Sequence, residues 1–300
     1  MPQIKTLNQL IETFNKRLQI IYSNREAYNI AQQAIMYQFK IENKVDFILR
    51  KNDEITEDEA HKALELLVEL EKGKPIQHLM GQVQFADLEI KVNEYVLIPR
   101  PETEELVYII KDMYANDFSG TIIDIGTGSG CIPLAMKSFF KDSKVVGIDI
   151  SNKALETAIE NAQINNLEVD FLNFDILKSN NPTFESPSPW GRVRDGANSA
   201  QYDIIISNPP YIPIGEKDLM HKNVVDHEPS IALFTPNNDP LLFYRTILEW
   251  SKEHLNANGK VFFELHENYA EQTLELALNF YPNSELKKDM QGKSRFLVCG

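Results

Sequence analysis

The residues best suited to chemistry in this sequence form the tetrad Asn208-Pro209-Pro210-Tyr211, which directly follows the apolar run 203–207. Proline fixes the backbone φ angle and has no N–H group, so the two prolines stiffen the loop and leave carbonyl oxygens without an internal donor. The Asn208 side-chain oxygen and the Pro209 carbonyl can each accept one N–H of an external NH₂ group, and Tyr211 can stack on a planar group. The tetrad therefore predicts a site for a planar amide or amine nitrogen. The alternative is a proline-rich turn in which Asn208 caps the loop and Tyr211 packs.

A second candidate site lies upstream, where the run 122–125 leads into Gly126-Thr127-Gly128-Ser129-Gly130 and then into a predicted helix. Glycines allow a sharp turn and a close approach to a ligand, and the helix N-terminus offers unpaired N–H groups to a carboxylate or phosphate. The third glycine comes one residue too early for the Gly-x-Gly-x-x-Gly fingerprint, which disfavours a nicotinamide or flavin cofactor. The motif indicates a nucleotide-like cofactor. By itself it also fits an ordinary strand-to-helix turn.

Three acidic residues are expected beside this glycine motif. Asp124 precedes it, Asp149 ends the next apolar run, and Asp175 follows the run after that. Asp149 is placed to accept hydrogen bonds from both ribose hydroxyls, as an acidic residue about 20 positions on does in related folds. Because open α/β sheets bind ligands at the carboxyl ends of their strands, the acids predict an adenosine-binding edge.

The elements that position these residues are predicted from short apolar runs that alternate with helical segments. The alternation predicts an α/β fold, with a doubly wound and mostly parallel sheet flanked by helices. The predicted strands are residues 121–125, 145–150, 169–174, 203–207, 261–265 and 296–299. Asp239 is expected to cap a helix with Pro240 at its first position, and Asn258-Gly259 to end that helix before the 261–265 strand.

The N-terminal part of the chain has helical periodicity without strand alternation, which predicts a small helical bundle over residues 1–75. Thr56 and Glu59 form a capping-box pattern, and Gly73 can stop the helix that they begin. Residues 76–100 are predicted to be a linker with a β-hairpin at 82–98. Residues 101–300 would then form the catalytic domain, interrupted by a mobile insertion at about 179–201, where proline, glycine and asparagine replace any apolar period. That insertion is either functional or a tolerated surface loop.

Several other residues could take part in chemistry, but each also has an ordinary structural interpretation. Residues 99–105 carry both charges and fit either a helix start or a functional segment. His227 and His266 each lie beside a glutamate, but neither has a partner at metal-ligand spacing. Cys131 and Cys299 are far apart and fit no disulfide framework, so we expect reduced packing residues and no metal site.

Composition indicates an ordinary globular protein. The 300 residues are 43% hydrophobic and 25% charged, and 30 basic against 44 acidic residues give a formal net charge of −14. This charge repels phosphate backbones, so a nucleic-acid substrate is disfavoured. The sequence shows no signal peptide and no membrane-spanning run, which predicts a cytoplasmic protein. Without a coiled-coil heptad or a strong exposed apolar stripe, we expect a monomer.

With these residues in place, the chain resembles the bacterial protein-(glutamine-N5) methyltransferases that modify peptide chain release factors, which are class I S-adenosylmethionine-dependent enzymes. The resemblance covers nearly the whole length. Its motifs are Pro75-Ile76-Gln77-His78-Leu79-Met80-Gly81, Leu97-Ile98-Pro99-Arg100-Pro101-Glu102-Thr103-Glu104, the glycine motif from Asp124, the Asn208 tetrad, and His227-Glu228-Pro229 with Ala232-Leu233.

The resemblance implies that S-adenosylmethionine is the cofactor and that the substrate is the glutamine of a Gly-Gly-Gln motif in a release factor, held by residues 208–211. Residues 126–130, Asp149, Ile176 and Asn208 match cofactor-contacting positions, and the helical domain would help to bind the protein partner. Ile176 departs from the tryptophan of some members, and the 179–201 insertion is absent from typical ones. Two alternatives are an adenine-N6 methyltransferase acting on DNA or RNA and a catalytically silent scaffold.

Overall fold

The computed structural model describes residues 4–178, 201–219 and 222–300, in two compact units. One unit comprises Met1–Gly81 and His221–His227, and the other comprises Gln82–Met220 and Glu228–Gly300. The predicted insertion at 179–201 lies outside the described residues except for Gln201. Within the described ranges, no helix combines the length and the apolar character that crossing a membrane requires.

The helices and strands are as follows in chain order. The helices are α1 (Leu7–Leu18), α2 (Asn24–Gln38), α3 (Lys44–Leu49), α4 (Glu57–Glu71), α5 (Ile76–Met80), α6 (Pro101–Met113), α7 (Cys131–Phe139), α8 (Asn152–Ile164), α9 (Lys222–His227), α10 (Ser230–Leu233), α11 (Leu242–His254) and α12 (Ala270–Leu278). The strands are β1 (Gln82–Phe85), β2 (Leu88–Lys91), β3 (Thr121–Ile125), β4 (Lys144–Asp149), β5 (Asp170–Asn173), β6 (Tyr202–Ser207), β7 (Ile212–Pro213), β8 (Phe234–Thr235), β9 (Leu255–Glu264), β10 (Glu285–Lys288) and β11 (Ser294–Cys299).

The first unit is helical, as the periodicity of its sequence predicts. One buried face of α1, including Leu10, Phe14 and Leu18, packs with buried alanines of α2 and leucines of α4 in a single core. The capping box is confirmed, because the Thr56 hydroxyl accepts from the Glu59 N–H and the Glu59 carboxylate accepts from the Thr56 N–H at 2.8 Å. Helix α4 ends at Glu71, just before Gly73.

The second unit is built on a seven-stranded sheet with the order β10-β11-β9-β6-β3-β4-β5. Strands β5, β4, β3, β6 and β9 are parallel, and β11 runs antiparallel to β9 and to β10. The predicted mostly parallel α/β fold is therefore confirmed. Strand β10 was missed by the pattern, because its sequence Glu-Leu-Lys-Lys forms a charged edge strand without apolar alternation.

The sheet is covered by helices on both faces. Successive residues of β6 point to opposite sides, since Ile204 and Ile206 pack with α6, α7 and α8 while Ile205 packs with α11 and α12. Burial on both faces explains why these strands read as continuous apolar runs. The same arrangement brings the carboxyl ends of β3, β4, β5 and β6 to one edge.

Two details differ from the sequence prediction. The hairpin consists of β1 and β2 only, and residues 95–98 form no strand, because Asn93 begins a turn in which its side-chain oxygen accepts from the Tyr95 N–H at 2.9 Å. Helix α11 begins at Leu242 and ends at His254, so Asn258-Gly259 lies inside β9 and does not end the helix. Leu255 pairs with Tyr202 of β6 and Lys260 pairs with Ile204, so the dipeptide lies in an irregularity of the ladder between two paired parts of β9.

Gly130, the residue before α7, is expected to tolerate no side chain. Its φ angle is +80°, and an added Cβ would lie 3.0 Å from the Ala158 Cβ and 3.2 Å from the Phe171 ring. Gly292 is a matched control, because its φ angle is +85° but an added Cβ would meet nothing within 4 Å. We expect Gly292→Ala to lower the free energy of unfolding by about 1–2 kcal/mol through backbone strain. Gly130→Ala should cost about 2–4 kcal/mol, because crowding adds to that strain. Equal losses in urea unfolding would contradict this packing argument.

Candidate active site

The carboxyl ends of the central parallel strands border a single cavity of about 630 Å³. Its lining joins the two regions that the sequence singled out. From the predicted site residues it includes Gly126, Gly128, Asp149, Asp175, Ile176, Asn208, Pro209 and Pro210. These residues come together because β6, β3, β4 and β5 are neighbours in the sheet, in that order. The glycine motif and the tetrad thus belong to one site.

The remaining predicted residues do not line the cavity. Asp124 and the loop residues Thr127 and Ser129 are buried, and the Ser129 carbonyl accepts from the Asn161 side chain at 2.9 Å. Burial raises the pKa of Asp124 to about 7, although the nearby Thr127 side chain acts in the opposite direction. The Tyr211 ring packs edge-on against His266, with 5.6 Å between ring centroids. These residues support the cavity wall from behind.

Asp149 ties the glycine loop to the end of β4. One of its carboxylate oxygens accepts from the Gly128 N–H at 2.9 Å, and the other accepts from the Ser151 N–H at 2.8 Å. Burial raises the pKa of Asp149, and these N–H donors partly offset that effect. Each carboxylate oxygen can accept more than one hydrogen bond, so the residue can also bind a diol in the cavity.

Most of the cavity wall is apolar, which suits a flat organic ring. Ile148, Ile150, Phe174 and Leu177 line it together with Ile176. A mainly apolar wall with a few polar groups at fixed points is typical of small-molecule sites. The polar lining residues include Asp149 at the end of β4, Asp175 after β5 and Asn208 directly after β6.

The Asn208 side chain is held by a buried hydrogen-bonded chain. Its Nδ2 donates to the Thr103 hydroxyl at 3.1 Å, and that hydroxyl donates to the Glu264 carboxylate at 2.7 Å. Thr103 and Glu264 are 3% and 2% exposed, so water does not compete for these bonds. Burial raises the pKa of Glu264 to about 7, and the Thr103 hydrogen bond acts against that rise. Glu264 lies behind Asn208 and outside the cavity lining.

An ion pair between the partly exposed Arg100 and the buried Glu228 joins two further parts of the wall. Arg100 donates to one Glu228 oxygen at 2.6 Å, and the Ile98 N–H donates to the other at 3.3 Å. The pair connects the segment that contains the lining residues Tyr95, Val96 and Leu97 to the segment that begins at Ser230. Helix α6 also begins at Pro101, so residues 99–105 both start a helix and brace the site.

Comparison with known proteins supplies the family. A profile of the methyltransferase small domain matches residues 106–227. The release factor glutamine methyltransferase of Flavobacterium psychrophilum is 38% identical over 267 residues, which cover 88% of each chain. A protein of the same description from Bacteroides thetaiotaomicron is 33% identical over 98% of this chain and 99% of its own. The chain belongs to the release factor glutamine methyltransferase family. Among solved structures, a methyltransferase from Pyrococcus furiosus covers 71% of this chain and 88% of its own, with 20% identity and a TM-score of 0.46.

The cofactor of such methyltransferases is S-adenosylmethionine, and the cavity fits it. An added Cβ at Gly126 or Gly128 would meet nothing within 4 Å, so the backbone of the loop faces open space. Asp149 offers carboxylate acceptors for ribose hydroxyls, and the isoleucines with Phe174 offer an apolar slot for adenine. Asn208 lines the same cavity.

Sequence reasoning missed the part of the wall that comes from distant segments. Segments 95–97 and 230–236, with Phe243 and Ile247 of α11, line the cavity. Thr103 lies within residues 99–105, which by sequence fit either a helix start or a functional segment, and no sequence signal marks Glu264. The lining residues Leu97 and Ala232 fall within the motifs that carry the family resemblance, and so do Arg100, Thr103 and Glu228 behind the wall.

Proposed function

We propose that the chain transfers the methyl group of S-adenosylmethionine to the side-chain amide nitrogen, N5, of the glutamine in the Gly-Gly-Gln motif of a peptide chain release factor. The names of its relatives support this substrate. The observation that carries the proposal is the Asn208 amide, whose nitrogen is bonded to Thr103 in the same cavity as the glycine loop. Its oxygen is therefore the group that can accept an N–H of the substrate.

The chemistry follows from the weakness of an amide nitrogen as a nucleophile. Its lone pair is delocalised, and attack on a methyl carbon leaves positive charge developing on the nitrogen. The bound cofactor supplies an electrophilic methyl carbon. The Asn208 side-chain oxygen and the Pro209 carbonyl each accept one N–H, which orients the amide and stabilises the developing charge through fixed dipoles. The proton is lost after methylation, so no ionised base is needed before transfer.

The other predicted site residues keep supporting roles in this proposal. Gly126, Thr127, Gly128, Ser129 and Gly130 shape the cofactor loop, with Asp124 beneath it. Asp149 binds the ribose, and Ile176 packs on the adenine beside Asp175. Pro210 stiffens the loop, and Tyr211 supports the site that receives the planar amide.

At the level of the whole chain, the helical unit is proposed to contribute to recognition of the release factor. The enzyme would act as a cytoplasmic monomer and would not modify nucleic acid. The net charge of −14 supports the last point, because an acidic protein lacks the electrostatic attraction that dominates nucleic-acid binding.

A labelling experiment tests the substrate. The purified chain is incubated with methyl-labelled cofactor and one of three acceptors: a release factor, the same release factor with its Gly-Gly-Gln glutamine replaced by alanine, or cellular RNA and duplex DNA. We expect label in the intact release factor only. Label confined to nucleic acid would support the adenine-N6 alternative and overturn the proposal. Equal label in both release factors would place the methyl group on another residue.

A further inference from the structure

The hydrogen-bonded chain from Asn208 to Glu264 crosses three elements of the second unit. Asn208 follows β6, Glu264 is the last residue of β9, and Thr103 is the third residue of α6. Ser207 pairs with Phe263 in the parallel ladder, so the two strand ends lie side by side. The Thr103 hydroxyl bridges them from the helix.

The chemistry of the three side chains determines which group donates and which accepts in each hydrogen bond. An ionised carboxylate only accepts hydrogen bonds, so the Thr103 hydroxyl must use its single proton toward Glu264. The hydroxyl oxygen can then only accept from Asn208, and in an amide only the nitrogen donates. The Asn208 oxygen must therefore point away from Thr103.

We infer that Thr103 and Glu264 are positioning residues for methyl transfer, which hold the Asn208 amide in the one orientation that presents its oxygen to the substrate NH₂ group. This inference rests on the proposed function. Without the chain, the two orientations of the Asn208 amide differ little in energy, and in the wrong one an N–H would face the nitrogen that develops positive charge.

Glu264 does not act as the base that removes the substrate proton. The Asn208 N–H and the Thr103 O–H both donate in the direction of Glu264. A proton could travel along this chain only if the Asn208 amide gave up its own. The carboxylate also lies outside the cavity lining, so its role is to fix the hydroxyl.

The charge state of Glu264 controls this orientation. Several titratable or charged groups interact electrostatically with Glu264. They are Arg100, Glu102 of α6, Cys131 of α7, Tyr211 after β6, Tyr244 of α11 and Arg295 of β11. Burial raises the pKa of Glu264 to about 7. Below that pH the protonated carboxyl can donate to Thr103, and the hydroxyl is free to donate to Asn208. The fixed orientation is then lost.

Substitution of Thr103 tests the inference. Thr103→Val removes the hydroxyl and keeps the shape of the side chain. We expect kcat on the release factor to fall about tenfold, the worth of one oriented hydrogen bond, while KM and the Kd of the cofactor stay within about twofold. Thr103→Ser should restore most of kcat. Thr273→Val is the matched control, because Thr273 in α12 is also buried and its hydroxyl donates to the carbonyl of Tyr269, the residue before that helix.

Two pH measurements complete the test. In the wild type, log kcat should fall as the pH drops below about 7, and Glu264→Gln should remove this acid limb while lowering kcat at pH 8. In cofactor-free protein, burial raises the pKa of Glu264 from 4.5 to about 7, so the wild type loses stability as the pH rises through this range, and the loss levels off above it. The Tm difference between Glu264→Gln and wild type should therefore grow between these two pH values and stay constant at higher pH.

The results distinguish failure of the proposed function from failure of the positioning role of Thr103 and Glu264. If the wild type does not label the release factor, the proposed function fails whatever the variants do. If the wild type labels it and Thr103→Val is equally fast, or if Thr103→Val and Thr273→Val lose kcat equally, the positioning role is wrong. An acid limb that persists in Glu264→Gln would also overturn it.

Discussion

Replacing Asn208 with alanine is expected to lower kcat by about 10²–10³-fold, the range measured when one preorganised donor or acceptor is removed from a polar transition-state site. The oxygen of this side chain is one of the two acceptors that orient the substrate amide in the proposed mechanism. Its contribution grows as positive charge develops on the nitrogen, so the loss should appear in kcat more than in KM. Single-turnover transfer of labelled methyl groups to the release factor measures it directly.

We expect the Asn208→Ala substitution to leave cofactor binding almost unchanged. The Gly128 to Asp149 hydrogen bond and the apolar slot do not involve Asn208, so the Kd for adenosylhomocysteine should stay within about threefold of wild type. Asn279→Ala is a matched control, because Asn279 is exposed at the end of α12. A variant that keeps kcat within tenfold of wild type, or loses cofactor binding in proportion to kcat, would argue against a catalytic Asn208.

Most of the sheet could be predicted from the sequence because its strands are buried on both faces. Ile204, Ile205 and Ile206 each face a covered side, so β6 appears as an unbroken apolar run. The hydrophobic pattern of the sequence did not predict strands where pairing with a neighbouring strand outweighs the local conformational preference of the residues. Strand β9 pairs with β6 on both sides of a turn-prone Asn-Gly, which lies in a register shift of the ladder, and β10 pairs with β11 although its residues are mostly charged.

The same distinction applies to the site. Gly126, Asp149 and Asn208 were predicted because Asp149 ends its strand and the other two directly follow theirs, and parallel neighbours bring strand ends together. The residues that hold them in place could not be predicted in this way. Thr103 lies 105 residues from Asn208 and 161 residues from Glu264 in the sequence, and Arg100 lies 128 residues from Glu228. Hydrophobic periodicity and motif spacing are local, so they do not predict contacts between residues so far apart in the sequence.

Replacing Asp149 with alanine is expected to raise the Kd for S-adenosylmethionine roughly a hundredfold. Two hydrogen bonds from ribose hydroxyls to an ionised carboxylate are worth about 1.5 kcal/mol or more each, and each 1.4 kcal/mol is tenfold in affinity. The substitution also leaves the Gly128 and Ser151 N–H groups without their acceptor, which loosens the loop. Calorimetric titration with adenosylhomocysteine measures binding without turnover. Asp142→Ala is the control, because Asp142 is exposed before the start of β4, at the other end of the strand.

A ligand without one ribose hydroxyl separates direct recognition from a general loosening of the loop. If Asp149 binds the diol, the 2′-deoxy analogue of adenosylhomocysteine should bind about tenfold more weakly than the parent to the wild type. The two ligands should bind almost equally to Asp149→Ala, because the hydroxyl has then already lost its acceptor. An equal penalty in both proteins would mean that the hydroxyl is bound elsewhere. Asp149 would in that case act on the cofactor only through the glycine loop.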